Sequence, residues 1–461
     1  MPPHNTAVVA TTFGILFLKD HFSTEETVSN MPASDNDNSN NSYNSNTSNG
    51  FKLSLYKNSN IYRIVLNNPV KSSIIQLNKW NRIDLKLVTE LGLPVIINDQ
   101  LELSISITCK LLQGYATKST KTCGYVESRD LAIECRPVHI DSWNAEGGDK
   151  GLGYSNYTGS FEYRVVTNNN NNKGYEDGVF FIHIQTENQC LLQQSLPLCL
   201  GPFQLQDTST QEDSFYWADD ISDDVNTHRI LSLNDHRYLV LKEMWDHGTS
   251  GKLWDSAVVI GQVITRLFKH NRAFLSGLRI MDLSAGIGSL GLLISQLCHV
   301  YDIPHPPTVV LTDIPEALPL IKHNLSLNSS STANIRVKPL RWGLTKDIKA
   351  LCKQPFDYIF VSDVLYNTED FYPLITTFRL LTGTKKTRTR LYLGYKPRGL
   401  KQYEEATFFS NSAIYFDITR LSLEDFARDL LDGQGTMDDS MDQILSFTGV
   451  QLYRFVPKRN E

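Results

Sequence analysis

Ile280-Met281-Asp282-Leu283-Ser284-Ala285-Gly286-Ile287-Gly288-Ser289-Leu290-Gly291 is the stretch on which the reading of this chain turns. An apolar run ends in an acidic residue and small residues, and a helical apolar pattern opens directly after them. That order describes a buried strand, a tight turn and a helix. Glycine at 286 and 288 lets the backbone turn sharply and approach a ligand closely, because no Cβ stands in the way. The helix N-terminus then offers amide N–H groups with no intrahelical partner. The pattern alone does not choose the ligand. Nicotinamide and flavin enzymes share the Gly-x-Gly-x-x-Gly spacing, and a turn of this kind can also bind nothing.

Around this stretch, short β-branched runs alternate with helical ones. Strands are expected over 278–283, 308–311, 335–337, 358–361 and 390–393, with helices over 289–297, 315–327 and 370–381 between them. Helical spacing also runs through 253–268. The alternation predicts a parallel, Rossmann-like sheet with helices on both faces. The chain then ends differently, with strand-like 413–418, a Gly- and Asp-rich stretch, and a last strand over 450–455.

Two strand ends carry acidic residues. Asp313 follows the second strand, 22 residues after Gly291. A carboxylate at that position accepts both ribose hydroxyls of an adenosine-type ligand; the blander role is a cap for the helix opening at Pro315, and one side chain can serve both. The strand Phe356-Asp357-Tyr358-Ile359-Phe360-Val361 runs into Ser362-Asp363-Val364-Leu365-Tyr366. Catalytic groups in open parallel sheets gather beyond the carboxyl ends of the strands. If this end begins a helical turn, positions i and i+3 project together, and Asp363 and Tyr366 share one wall of a pocket. A negative charge there suits a cationic amine, whereas Asn-Pro-Pro-Tyr ends hold a neutral nitrogen. The alternative for Asp363 is a helix cap.

The rest of the chain bounds the answer. With 461 residues it is long enough for two domains, and 41% hydrophobic with 20% charged residues is an ordinary globular balance. A net charge of −6 argues against a general polyanion binder. Cysteines stand at Cys109, Cys123, Cys135, Cys190, Cys199, Cys298 and Cys352, with no CxxC pair. Neither a metal site nor a disulfide framework is expected, and a reducing compartment is the simpler reading. The apolar run 7–18 is too short to span a bilayer, which takes roughly 20 residues, and it lacks the positive start of a signal peptide. Residues 1–50 form an N-terminal segment whose Asn/Ser-rich tract, 30–50, is expected to be disordered. A second polar tract, 168–172, reads as a surface loop. Between them, 51–240 reads as a β-rich domain: 61–66, 101–107, 161–166 and 179–184 are strand-like, and 101–107 alternates strictly. The α/β domain takes 241–461.

The segment Gly248-Thr249-Ser250-Gly251-Lys252-Leu253-Trp254-Asp255-Ser256-Ala257 resembles the Gly-x-x-x-Trp-x-x-Ala leading helix of methyltransferase family 16. These are the seven-β-strand protein-lysine methyltransferases of the methyltransferase-like 21 type. In that family this segment precedes Glu-Leu-Gly-Ala-Gly-x-Gly, which here reads Asp282-Leu283-Ser284-Ala285-Gly286-Ile287-Gly288. Asp for Glu and Ser for the first Gly are departures, and Ser284 is strained if the loop needs φ > 0. The resemblance covers about 245 to the end. It implies a seven-stranded methyltransferase sheet whose last strand inserts antiparallel beside the sixth, with S-adenosyl-L-methionine as cofactor. It further implies that Trp254, Asp282, Ser284, Gly286, Gly288, Asp313 and Trp342 bind the cofactor, with Asp282 facing the methionine ammonium. Arg341 stands where the family more often has an acidic residue beside the adenine. Asp363 and Tyr366 match the family's Asp-x-x-Tyr and would be the catalytic pair, Asp363 docking the substrate amine and Tyr366 lining the methyl passage. No metal is implied.

The expected function is transfer of methyl to a lysine side chain of another protein. The alternatives are a histidine, a protein N-terminus, RNA or a small molecule as acceptor, or a catalytically decayed binding module. The implied partner is a protein substrate, a translation factor or chaperone-type ATPase being the first candidates, with no nucleic acid and no membrane and a monomeric enzyme. The cytoplasm is the expected location, with the nucleus as the other compartment. The β-rich domain is assigned substrate recognition from its position alone.

Overall fold

The computed structural model describes residues 61–458 except 71, 94, 97–106, 115–123, 139–142, 147–153, 168–177, 187–193, 208–225, 329–333, 384–388 and 433–447. The expectations for 7–18, 30–50, 101–106 and 168–172 lie outside the described residues.

The C-terminal half is a sheet of seven strands: β1 (Arg279–Leu283), β2 (Thr308–Asp313), β3 (Ile335–Pro339), β4 (Tyr358–Ser362), β5 (Arg390–Tyr395), β6 (Phe416–Leu421) and β7 (Gln451–Pro457). Their order is β3-β2-β1-β4-β5-β7-β6. The first five pair in parallel. The last strand lies antiparallel between β5 and β6, as the family resemblance implied. The helices are α1 (Asp255–His270), α2 (Ser289–Val300), α3 (Leu318–Asn328), α4 (Thr345–Leu351), α5 (Phe371–Thr382), α6 (Gln402–Ala413) and α7 (Leu423–Leu430). Strand side chains alternate between two cores, as a period of two requires. Ile280, Val309, Leu311, Phe360 and Tyr392 face α1, α2 and α7. Met281, Val310, Ile359, Val361 and Leu393 face α4, α5 and α6. The strand expected over 413–418 is corrected: α6 runs to Ala413 and β6 begins at Phe416.

Among the described residues before 245, the regular elements are all strands. In one sheet, Val179–Thr186, Ile107–Gly114, Tyr125–Glu127, Arg237–Lys242, Asn226–Ser232 and Leu198–Gln206 follow one another, and the last pairs back onto the first. A ring closed in this way has no free edge between its ends. The second sheet is built on Ile61–Leu66, Asn81–Val88 and Tyr154–Thr167, and the two share a core that includes Ile64, Leu85, Phe161, Phe180 and Leu200.

The halves are joined by more than chain. Strand Arg237–Lys242 lies against α3, where Asn324 and Asn328 act as a substitute neighbouring strand. Asn324 accepts from the Lys242 amide at 2.7 Å and donates to its carbonyl at 3.1 Å. Asn328 does the same with Val240, at 2.9 and 2.6 Å. Asn324 also donates to the Ile287 carbonyl at 2.9 Å, which ties this junction to the glycine loop.

Candidate active site

The loop from β1 into α2 is built as its sequence requires, with one exception. Gly286 and Gly288 take φ of 56° and 83°, and so does the non-glycine Ser284, at 59°. A side chain in this left-handed region costs about 1–3 kcal/mol. The anticipated strain at Ser284 is present, and its hydroxyl gains a partner: Trp342 Nε1 donates to Ser284 Oγ at 2.9 Å. At Gly288 a Cβ would also sit 3.1 to 3.3 Å from the side chains of Leu311, Ile321 and Leu292, a tight fit on top of the left-handed φ.

Two carboxylates flank the loop from adjacent strand ends. Asp282 is 2% exposed and its Oδ2 accepts from the Gly291 amide at 2.9 Å. Asp313 is 8% exposed; its Oδ2 accepts from the Gly286 amide and its Oδ1 from Ile314, both at 2.8 Å. Asp313 thus couples the end of β2 to the glycine turn. Burial pushes the Asp282 carboxyl up to about 7 and that of Asp313 up to about 6, against the backbone hydrogen bonds, and the charge of Asp313 raises Asp282 further. Among the described residues neither forms a salt bridge. A ligand bringing a cationic group and hydroxyl donors would supply what these two oxygen pairs lack, so the donor set fits an aminoacyl nucleoside. Beside them, Ile314 is exposed at 42% and Trp342 is half-buried, apolar surface suited to a flat ring.

Trp254 caps the start of α1, and its Nε1 donates to the Thr249 carbonyl at 2.7 Å. Trp342 lies 6.4 Å from the Tyr366 ring, centroid to centroid. Tyr366 is 45% exposed at the mouth. Its hydroxyl is pushed up, desolvation outweighing a hydrogen bond with the Thr249 side chain. Ser284, Trp342 and Tyr366 therefore form one connected wall, and Asp282, Gly286, Gly288 and Asp313 form the floor next to it.

Asp363 stands apart from that wall. The end of β4 does not open a helical turn; Asp363 takes φ of 54° and the following helical residues begin only at Thr368. The expected i, i+3 pairing of Asp363 with Tyr366 is therefore corrected: Tyr366 turns outward and Asp363 turns inward, its side chain 1% exposed. Four donors use its oxygens. Arg398 binds it through Nη1 at 2.6 Å and Nη2 at 3.3 Å, and the amides of Ser256 and Lys396 donate at 2.9 and 3.1 Å. A carboxylate so occupied fixes the backbone of three segments, and its charge is spent on Arg398.

Sequence reasoning missed the partners of Asp363. Asp255 forms buried salt bridges with Lys396 at 2.6 Å and with Arg398 at 3.7 Å, and Arg398 also pairs with Asp363. Arg398 also lies 5.0 Å over the Trp254 ring. The signal available was two basic residues, Lys396 and Arg398, directly after a strand, where charges that turn inward and charges left in solvent look alike. Thr249 had no signal of its own.

Residues 233–413 match a family model described as lysine methyltransferase. EEF1A lysine methyltransferase 3 of Xenopus tropicalis is 34% identical over 154 residues, 33% of this chain and 59% of its own length. The mouse protein of that name is 26% identical over 162 residues, 35% of this chain and 61% of its own length. The human histone-arginine methyltransferase METTL23 is 27% identical over 194 residues, 40% of this chain and 93% of its own. This chain thus spans about three fifths of the length of the frog and mouse relatives. Among the described residues no helix is long and apolar enough to cross a membrane, and no group of three or more His, Cys, Asp or Glu is placed to hold a metal.

Proposed function

We propose that this chain transfers methyl from S-adenosyl-L-methionine to a lysine side chain of another protein, a reading supported by the match of residues 233–413 to a family model described as lysine methyltransferase. The observation that carries this reading is the pair of buried carboxylates, Asp282 and Asp313, on either side of the left-handed loop 284–288. When bound, S-adenosylmethionine supplies an electrophilic methyl group on a sulfonium. Asp282 would face its ammonium, Asp313 its ribose hydroxyls, and Ile314 and Trp342 its adenine.

The residues at the mouth set how an amine is received. Lysine has a pKa near 10.4, so roughly one side chain in a few thousand is neutral at pH 7. The aromatic face of Tyr366 desolvates an arriving amine, which disfavours its ammonium form, and the ring also attracts positive charge at close range. Asp363, saturated by Arg398 and two amides, orients the end of β4 and the start of α1. The amine's proton leaves to water before attack. Alignment then supplies most of the acceleration.

Lysine on an abundant protein such as a translation factor or a chaperone-type ATPase is the acceptor we favour, with the cytoplasm as the place of action. The name of the frog relative supports a translation factor. An arginine acceptor is the second reading, favoured by the human histone-arginine methyltransferase, whose own length the match nearly spans.

Calorimetric titration of S-adenosylmethionine and S-adenosylhomocysteine tests the first step. Micromolar affinity is expected for the full chain and a loss of roughly ten-fold or more in Asp313→Ala, about the worth of a hydrogen bond to a charged group. Labelled-methyl transfer to a cell lysate, read by mass spectrometry, then assigns the modified residue as lysine or arginine. A folded chain that binds neither nucleoside refutes the proposal.

A further inference from the structure

Six charged side chains meet beneath the mouth, and two of them come from the β-rich half. In order of contact they are Arg63, Asp255, Lys396, Glu90, Arg398 and Asp363, alternating in sign throughout. Arg63 binds Asp255 at 2.6 Å, Lys396 binds Asp255 at 2.6 Å and Glu90 at 3.3 Å, and Arg398 binds Glu90 at 3.3 Å and Asp363 at 2.6 Å. Side-chain exposure is 2% or less for five of them and 12% for Arg398. Three positive charges face three negative ones, so the set is neutral. Asp255, Lys396, Arg398 and Asp363 are already neutral among themselves and linked through Arg398 and Asp255; the β-rich half inserts a further opposite pair, with Glu90 as a second link between Lys396 and Arg398.

The two inserted residues are aimed at the parts of the site that must hold still. Arg63, in strand Ile61–Leu66, donates to the Ile61 carbonyl at 2.7 Å, to the Leu253 carbonyl at 3.0 Å and to Asp255, so it grips the start of α1 at Trp254. Glu90 sits in the turn after strand Asn81–Val88, which packs on the leading segment: a Cβ on Gly92 would lie 3.1 Å from the Trp245 ring. Glu90 holds Lys396 and Arg398 from the side opposite Asp255 and Asp363. Without it, Arg398 keeps Asp255 and Asp363 but carries an excess positive charge in a buried place. A low-dielectric setting makes such an imbalance costly.

We propose that Glu90 and Arg63 are positioning residues of the methyl-transfer site, holding Asp363, the start of α1 and the end of β5 in register through Lys396 and Arg398. The catalytic half of this rests on the methyl-transfer reading; the geometric half does not. The β-rich half thereby becomes part of the site's framework, acting through contacts that never touch substrate.

Glu90→Gln in the full chain is the test. Glu90 Oε2 is buried without a hydrogen-bond partner among the described residues, so an amide nitrogen in its place breaks no hydrogen bond and removes chiefly charge. Deuterium exchange read by mass spectrometry follows 254–258 and 394–398, where the Ser256 and Lys396 amides bind Asp363, with the loop 284–291 as internal reference. Exchange in both segments is expected to rise roughly ten-fold while the reference holds. Affinity for S-adenosylmethionine stays within about two-fold, and the initial rate of labelled-methyl transfer to lysate falls roughly ten-fold or more at saturating cofactor. Should Glu90→Gln fail to fold, Glu90→Asp and Arg63→Lys keep the charge and lose only reach or fork geometry; the same pattern is expected, smaller. Unchanged exchange in both segments overturns the proposal, as does a rise spread equally over 284–291. Loosened segments in a chain whose wild type transfers no methyl would sink the methyl-transfer reading and leave the positioning contacts standing. Equal transfer by wild type and Glu90→Gln would sink the positioning role alone.

Discussion

Asp282 and Asp313 carry a charge that the ligand-free protein holds at a cost. Burial pushes them up to about 7 and about 6, from 3.8 in the unfolded chain. Between those values the folded protein keeps protons that the unfolded chain has released, so linkage makes stability fall as pH rises through the window. This contribution is complete below about pH 4 and lost above the folded values. The melting temperature of the ligand-free protein should therefore drop between about pH 5 and pH 8, and Asp282→Asn should remove part of that slope. At ~1.4 kcal/mol per unit, the gain for Asp282→Asn at pH 8 is bounded by roughly 4 kcal/mol. Cofactor affinity should run the other way, rising over the same range in the wild type, because an ammonium binds the ionised carboxylate. Scanning calorimetry and titration at three pH values check both; a melting temperature independent of pH rules the argument out. These two aspartates were legible because each ends a strand beside a glycine turn. Ser284 was legible only as a departure: its left-handed φ follows from the loop, but the indole that answers its hydroxyl comes from Trp342, 58 residues away. Asp363 was legible as a residue and misread as a group, since nothing local announces that Arg398 and two amides occupy it.

Helix α3 shows what an element does that its own sequence does not announce. Its apolar residues Leu318, Leu320 and Ile321 pack it on the sheet, while Asn324 and Asn328, at 0% and 4% exposure, face a strand of the other half. Replacing Asn324 by alanine would leave the Lys242 amide, the Lys242 carbonyl and the Ile287 carbonyl unanswered in a buried place. Each such orphan costs about 1–3 kcal/mol, so Asn324→Ala should destabilise the protein by roughly 3 kcal/mol or more. Thermal denaturation should show this as a lowered first transition, and cofactor affinity should fall too, because Ile287 lies in the loop. A melting curve like that of the wild type would mean that the junction is not where the halves are held. Periodicity made β1 to β5 and α1, α2, α3 and α5 readable, since each buries one face or two in strict register. It failed at α6, where only Phe408 and Ser412 are buried and no apolar stripe exists. The run Ala413-Ile414-Tyr415-Phe416 then looked like a strand that in fact begins at its end. In the β-rich half the strands over 61–66, 161–166 and 179–184 were legible, others such as Asn81–Val88 and Leu198–Gln206 were not read, and no partners were, because a period of two states which face is buried and says nothing of which strand lies alongside.

At the scale of the whole molecule, exposed apolar side chains gather at one end of the sheet. Eight large apolar side chains are exposed among the described residues, and five of them follow strand ends on the side of the site: Ile314, Leu344, Tyr366, Tyr372 and Tyr403. Ile314 and Tyr366 belong to the proposed cofactor and acceptor site. Tyr372, at the start of α5, and Tyr403, at the start of α6, are 78% and 63% exposed and lie beyond it. Tyrosine is enriched where proteins meet, because it offers a large rigid face with a polar end. A small-molecule acceptor would have no use for two such rings outside the pocket, whereas a folded protein that must present one lysine needs a footing there. Once the methylated protein is isolated, Tyr372→Ser with Tyr403→Ser should raise its KM roughly ten-fold, near the lower end of a hot-spot loss, with kcat and cofactor affinity unchanged. Ile414→Ser is the matched control: it removes a side chain 64% exposed at the opposite end of the sheet and should change nothing. A fall in kcat with KM constant would place the two tyrosines in alignment of the acceptor instead of its capture. If neither constant moves, the partner must be held by the β-rich half, which would then combine recognition with the positioning role of Glu90 and Arg63.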